Sequence, residues 1–140
     1  MNPNALFNFA NAFVLIGWIL LLALPHWKWT QTIVLKGVIL LFAVLYSITL
    51  LKGLGSFDVN SFSTLAGVKV LFQSDEAVAM GWLHYLAFDL FVGAYIVRDG
   101  QQAGMSRILY SICLPFTFMF GPFGYMLYCI FKALKTKSLA

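Results

Sequence analysis

The chain has 140 residues, of which 61% are hydrophobic and only 10% are charged. A soluble domain carries about a quarter charged residues, so this composition excludes an ordinary water-exposed surface and predicts a protein embedded in a membrane. The net charge of +4 comes from Lys and Arg residues that stand singly between apolar segments. Because such residues commonly contact anionic lipid head groups, membrane lipids are expected partners and nucleic acid is not.

The first two apolar segments, about 6–24 and 33–51, are each close to the roughly 20 residues that a membrane span needs. Trp27 and Trp29 follow the first segment, where interfacial aromatic residues belong. Asn4, Asn8 and Asn11 recur at spacings of four and three, and Trp18 continues their face. Asn in lipid needs a partner, so this face is expected to point into the bundle, as helix packing or as part of a site.

The connection that follows is too long for a simple turn. Its apolar residues have helical spacing at about 62–73 and predict a short interfacial or re-entrant helix, which either covers an opening between spans or lies among the head groups. The sequence SDEA then opens the third span, and we expect Ser74 to cap it while Asp75 and Glu76 complement the positive end of the helix.

The third span, about 77–97, contains His84 and Asp89. Asp89 lies about 3 Å from the middle of this span, where an ionised carboxylate is costly. It is expected to stay protonated and donate a proton, or to form a buried bond between helices. His84 lies about 140° around the helix from Asp89. It can line a second wall of the same cleft and accept a proton, or it can be a neutral interhelical residue.

A fourth span is predicted at about 108–131, interrupted by Pro115 and by GPFG at 121–124. The interruption suggests either a kinked wall beside a pocket or the ordinary plasticity of membrane helices. At the end of the third span, Asp99 is expected to form an ion pair with Arg98 or to contact a head group or substrate.

The sequence therefore predicts an all-α integral membrane protein with four transmembrane helices in one domain, 1–140. Five basic residues on the N-terminal side against four on the other weakly favour both termini in the cytoplasm. Two His and two Cys without a cluster predict neither a metal site nor a cofactor.

The stretch AMGWLHYLAFDLFVGAYIVRDG resembles the signature of the abscisic-acid-deficient-four-like membrane proteins, whose plant members are associated with neoxanthin synthesis. The matching residues are Trp82, His84, Leu86, Ala87, Asp89, Leu90, Asp99 and Gly100, with Asn11, Trp18 and Pro25 earlier in the chain. The resemblance implies a compact four-helix membrane protein. Because the chain starts directly at its first span, a bacterial member in the inner membrane is expected.

The resemblance implies an intramolecular isomerase for a carotenoid or another lipophilic isoprenoid. In the corresponding reaction an acid opens a 5,6-epoxide and a base removes a proton from the polyene, roles that we assign to Asp89 and His84. Trp82, Tyr85 and Phe88, with Asn8, Asn11 and Trp18, are the expected substrate-binding residues, although the aromatic residues can equally be helix packing. The alternatives are a non-catalytic membrane protein that binds a lipid or pigment or assists a partner enzyme, and a channel or transporter, which would require a homo-oligomer.

Overall fold

The structure is a computed structural model that describes residues 2–53 and 59–136. Within these ranges, three helices are long and apolar enough to cross a membrane, in agreement with a membrane protein. They are α1 (Pro3–Ala23), α2 (Thr30–Gly53) and α4 (Asp75–Gln102). These bounds agree with the three predicted spans, although α4 extends beyond its prediction at both ends.

Local chemistry explains where α1 and α4 begin. Asn2 Oδ1 accepts hydrogen bonds from the backbone N–H groups of Asn4 and Ala5, at 2.9 and 3.4 Å, and Pro3 occupies the first turn, where its missing N–H costs little. Ser74 Oγ accepts a hydrogen bond from the Ala77 N–H at 3.2 Å. The predicted Ser74 cap is therefore confirmed.

Helix α4 is the centre of the fold because it packs against every other long helix of the described chain. Small residues permit this close packing. A Cβ atom at Gly93 would lie 2.7 Å from the Trp18 ring of α1, and a Cβ atom at Gly100 would lie 3.1 Å from Tyr110. Helix α2 packs on another side of α4 and has a π-helical segment, Ile33–Ile39.

A short helix occupies the connection between α2 and α4, as the sequence predicted. A 3-10 segment, Val59–Ser63, precedes α3 (Leu65–Leu71). The predicted range 62–73 includes all of α3 and the last two residues of the 3-10 segment. The Phe72 ring lies against α4, where a Cβ atom at Gly81 would be 2.6 Å from it. Leu65 and Val70 are exposed, which suits a lipid interface, but the depth of α3 in a membrane stays a prediction.

The predicted fourth span is wrong as a single helix. The chain instead forms α5 (Arg107–Phe120) and α6 (Pro122–Thr136), separated at Gly121. At about 1.5 Å per residue these helices are about 21 and 22 Å long, which is shorter than a hydrocarbon core of about 30 Å. Neither helix is therefore long enough to cross a membrane by itself.

Contacts with α4 show that α5 and α6 form a hairpin. Gly100, near the end of α4, lies against Tyr110 of α5, whereas Asp89, near the middle of α4, lies against Gly121. Lys132 of α6 then returns to Asp99, with its Nζ 2.9 Å from Asp99 Oδ2. Helix α5 thus runs antiparallel to α4, and α6 runs back parallel to it. The tip of the hairpin lies beside the middle of α4.

This hairpin places the start of α1 and the end of α6 at opposite ends of the bundle. Gln101 of α4 donates a hydrogen bond to the Pro25 carbonyl after α1, at 2.8 Å, so the ends of α1, α4 and α6 meet at one end. The predicted arrangement, with both termini on one side, does not fit this geometry.

We expect cysteines at Asn4 and Thr136 to react with a membrane-impermeant maleimide from opposite sides of the membrane, in a background without Cys113 and Cys129. Lys28→Cys is the matched control, since it should react from the same side as Thr136→Cys. Labelling of positions 4 and 136 from one side would contradict the hairpin.

Candidate functional site

One face of α4 looks toward the hairpin tip and α1. Trp82, Tyr85 and Asp89 follow one another at spacings of three and four, which places them on one helix face. We call these residues, with Asn11 and Trp18 of α1 and the backbone at 118–121, the hairpin-tip site.

The Asp89 side chain is buried, with 8% of its surface exposed. Its Oδ1 atom lies against Gly121, where an added Cβ would collide with it. Its Oδ2 atom makes no hydrogen bond to any described residue. A buried carboxyl oxygen without a partner is costly in a structure, so Asp89 is a strong candidate for a functional group.

The backbone explains why the tip is polar. Gly121 has a φ of +33°, a conformation that glycine accepts readily, and Pro122 has no N–H to donate to the Phe118 carbonyl four residues earlier. The Tyr85 hydroxyl donates to the carbonyls of Phe118 and Met119, at 3.4 and 3.1 Å. Tyr85 therefore compensates the break in the helix and ties α4 to the tip.

Two residues of α1 complete this side of the site. Trp82 Nε1 donates a hydrogen bond to Asn11 Oδ1 at 2.8 Å, and the centroids of the Trp82 and Tyr85 rings are 5.2 Å apart. The Trp18 ring lies 5.5 Å from the Phe118 ring, and its buried Nε1 has no hydrogen-bond partner among the described residues. The site thus combines an aromatic wall with two unpartnered buried polar atoms.

His84 does not belong to this site. Its side chain is exposed and lines a groove between α2 and α4 with Tyr46 and Phe88. The His84 and Phe88 rings stack at 4.5 Å. The prediction that His84 and Asp89 both face the interior and line one cleft is therefore wrong for His84, because the two residues point to different sides of α4.

The polar stripe predicted on α1 is also only partly inside the bundle. Asn11 is half-buried and bonded to Trp82, and Trp18 is buried, but Asn4 and Asn8 are exposed. The buried face of α1 is carried by Leu6, Ala10, Val14, Gly17, Trp18 and Leu21. Asn8 and Phe88 therefore lie outside the hairpin-tip site.

A second polar cluster holds the open end of the hairpin. Asp99 pairs with Lys132 rather than with Arg98, and Tyr128 donates a hydrogen bond to the same Asp99 oxygen. The hydrogen bond that Lys132 donates to Asp99 raises the pKa of Lys132, so this lysine stays charged at neutral pH. The cluster attaches α6 to α4 about 15 Å along α4 from Asp89.

No group of three or more His, Cys, Asp or Glu side chains in the described ranges could hold a metal ion. The hairpin-tip site places a buried carboxyl group beside aromatic rings, an arrangement that suits proton transfer.

Comparison with known proteins gives the relationship directly. The family model described as ABA DEFICIENT 4-like matches residues 5–128. The chain belongs to the ABA DEFICIENT 4-like family. It is also similar to Protein ABA DEFICIENT 4, chloroplastic, of Arabidopsis thaliana, with 31% identity over 71 residues. That match covers 50% of this chain and 30% of the plant protein, and no solved structure matches.

The family that the sequence predicted is thus confirmed. Its signature residues serve different parts of the ABA DEFICIENT 4-like fold: Trp82 and Asp89 lie in the hairpin-tip site, Asp99 holds α6, and Gly100 admits Tyr110. Two features were not predicted from the sequence: the backbone carbonyls of Phe118 and Met119 at the site, and the pairing of Tyr128 and Lys132 with Asp99. The sequence feature that indicates the hairpin is GPFG at 121–124, which lies between two apolar segments that are each too short to cross a membrane.

Proposed function

We propose that this chain is a membrane-embedded isomerase that acts on a carotenoid or another lipophilic isoprenoid, with Asp89 as its acid. The observation that carries the proposal is a buried carboxyl group with an unpartnered oxygen beside the tip of a helical hairpin. Membership of the ABA DEFICIENT 4-like family supports it, because plant members of the family it resembles are associated with neoxanthin synthesis.

The proposed reaction needs a single acid that is regenerated. The neutral form of Asp89 is the less costly one in an apolar interior. It donates its proton to the oxygen of a 5,6-epoxide, and the C6–O bond breaks while the oxygen stays on C5 as a hydroxyl. The polyene then loses the proton on C7 to the Asp89 carboxylate, and that electron pair forms the C6=C7 bond of an allene. Atoms balance without an oxidant or reductant.

The surroundings of Asp89 suit the charge that develops in this reaction. Opening of the epoxide leaves positive charge on the polyene, and aromatic faces attract cations. The Trp82 and Tyr85 rings stand on the same face of α4 as Asp89, and Trp18 stands on the opposite wall. In this proposal the carboxylate oxygen, rather than His84, accepts the proton, because His84 lies on another side of α4.

Expression of the chain in a host that accumulates violaxanthin tests the proposal. We expect a new pigment of unchanged mass with an allenic end group, identified by chromatography and mass spectrometry, and no such pigment in cells with an empty vector. Violaxanthin that co-purifies with the protein but is never converted would favour the alternative, a membrane protein that binds a pigment without catalysis. If the protein neither converts violaxanthin nor retains it, both the isomerase and the pigment-binding function are rejected.

A further inference from the structure

A groove separates α2 from α4 on the side away from the hairpin tip. It has a volume of about 560 Å³, within the range of roughly 300–1,000 Å³ that is usual for small-molecule sites. Most of its walls are apolar, formed by Ile39, Phe42, Leu83, Ala87, Phe88 and Phe91. The groove is therefore suited to an apolar molecule taken from the membrane.

Three polar side chains interrupt these walls: Tyr46, Ser47 and His84. Ser47 Oγ donates to the Ala43 carbonyl at 2.8 Å and is satisfied within its own helix. His84 and Tyr46 contact each other only as rings, with centroids 5.6 Å apart, and neither forms a hydrogen bond with another described residue. The groove thus presents an imidazole and a phenol with free hydrogen-bonding capacity.

The depth of His84 in the membrane indicates that its free hydrogen-bonding capacity needs a partner. His84 lies about 7 Å from the middle of α4, well inside a hydrocarbon core that extends about 15 Å to each side. Water is scarce at that depth, and a polar group without a partner there is costly. A lipid acyl chain could fill the groove but could not bond to the imidazole, and the head group of that lipid would lie nearer the surface.

We propose that this groove binds a lipid-soluble molecule with a hydroxyl group on an apolar skeleton, and that the hydroxyl forms a hydrogen bond with His84. The π-helical segment Ile33–Ile39 ends at the groove, since Ile39 belongs to both, and such segments frequently occur at functional sites. This site is separate from Asp89 and does not rest on the isomerase reaction.

Binding can be measured with all-trans-retinol and with its hydrocarbon analogue axerophthene, in which hydrogen replaces the hydroxyl. Energy transfer from tryptophan to either probe reports binding to the protein in phosphatidylcholine nanodiscs, with empty nanodiscs as the background. We expect the parent protein to prefer retinol about fivefold to tenfold, the effect of one neutral hydrogen bond. His84→Phe retains a ring beside Phe88 and should lose this preference without a change in axerophthene affinity.

Two further variants keep the result interpretable. His84→Gln retains a hydrogen-bonding group and should keep most of the preference. Ala43→Phe places a large side chain in the groove without adding a tryptophan, and it should weaken the binding of both probes. Equal affinity of the parent protein for the two probes, or an unchanged preference in His84→Phe, would overturn the proposal.

Discussion

Asp89→Asn is expected to lower pigment conversion by roughly two to four orders of magnitude, the usual contribution of a general acid. The amide keeps the shape of the protonated carboxyl group but cannot supply its proton. Because Asp89 Oδ2 has no hydrogen-bond partner among the described residues, the substitution leaves no partner of that oxygen without a bond. We therefore expect expression and the thermal midpoint in detergent to stay close to those of the parent protein.

Two variants distinguish this role from a structural one. If Asp89 served only to join helices, Asp89→Asn would convert substrate as well as the parent protein does, and Asp89→Leu would lower stability by stranding its partners. His84→Gln is the matched control on the other side of α4 and should retain conversion. Loss of conversion in His84→Gln at normal stability would restore His84 as the base and contradict the single-carboxyl reaction.

Gly124→Ala is expected to destabilise the protein by about 1–3 kcal/mol, the cost of overpacking a close contact. A Cβ atom at Gly124 would collide with the Thr117 backbone and hydroxyl across the hairpin. The helix preference of Ala over Gly predicts the opposite sign, a gain of up to about 1 kcal/mol. The direction of the change in unfolding temperature therefore tests whether the two arms of the hairpin touch.

Gly53→Ala provides the control for that measurement. A Cβ atom at Gly53, near the end of α2, would meet nothing within 4 Å, so this variant should unfold at or slightly above the parent temperature. If Gly124→Ala also raised the unfolding temperature, α5 and α6 would not pack as closely as the structure places them. Conversion by Gly124→Ala should fall with stability, because Gly121 at the tip lies against Asp89.

Features set by residues close together in the chain were predicted from the sequence, whereas features set by contacts between distant residues were not. Apolar length and the Ser74 cap are local signals, so the three long helices and the start of α4 followed from the sequence. The hairpin did not, because 108–131 has the composition of one span. Its return is shown by contacts between residues distant in the chain, of Asp89 with Gly121 and of Asp99 with Lys132.

In the candidate site, too, local features were predicted from the sequence and long-range contacts were not. A carboxyl group near the middle of an apolar helix was sufficient to predict that Asp89 is buried. The direction of His84 depended on which sides of α4 its neighbours cover, and the bond from Trp82 to Asn11 joins residues 71 positions apart. Neither of these long-range relationships has a signal in the local sequence.

The return of α6 also redistributes charge between the two faces of the membrane. It brings Lys132 and Lys135 to the end of the bundle that already has Lys28, Arg98 and Arg107, whereas Lys52 and Lys69 lie toward the other end. Cytoplasmic ends of membrane proteins are enriched in Lys and Arg. Four crossings would place nearly equal numbers of basic residues on the two sides of the membrane, whereas the hairpin places most of them at one end. We therefore expect the open end of the hairpin to face the cytoplasm and α1 to start on the opposite side.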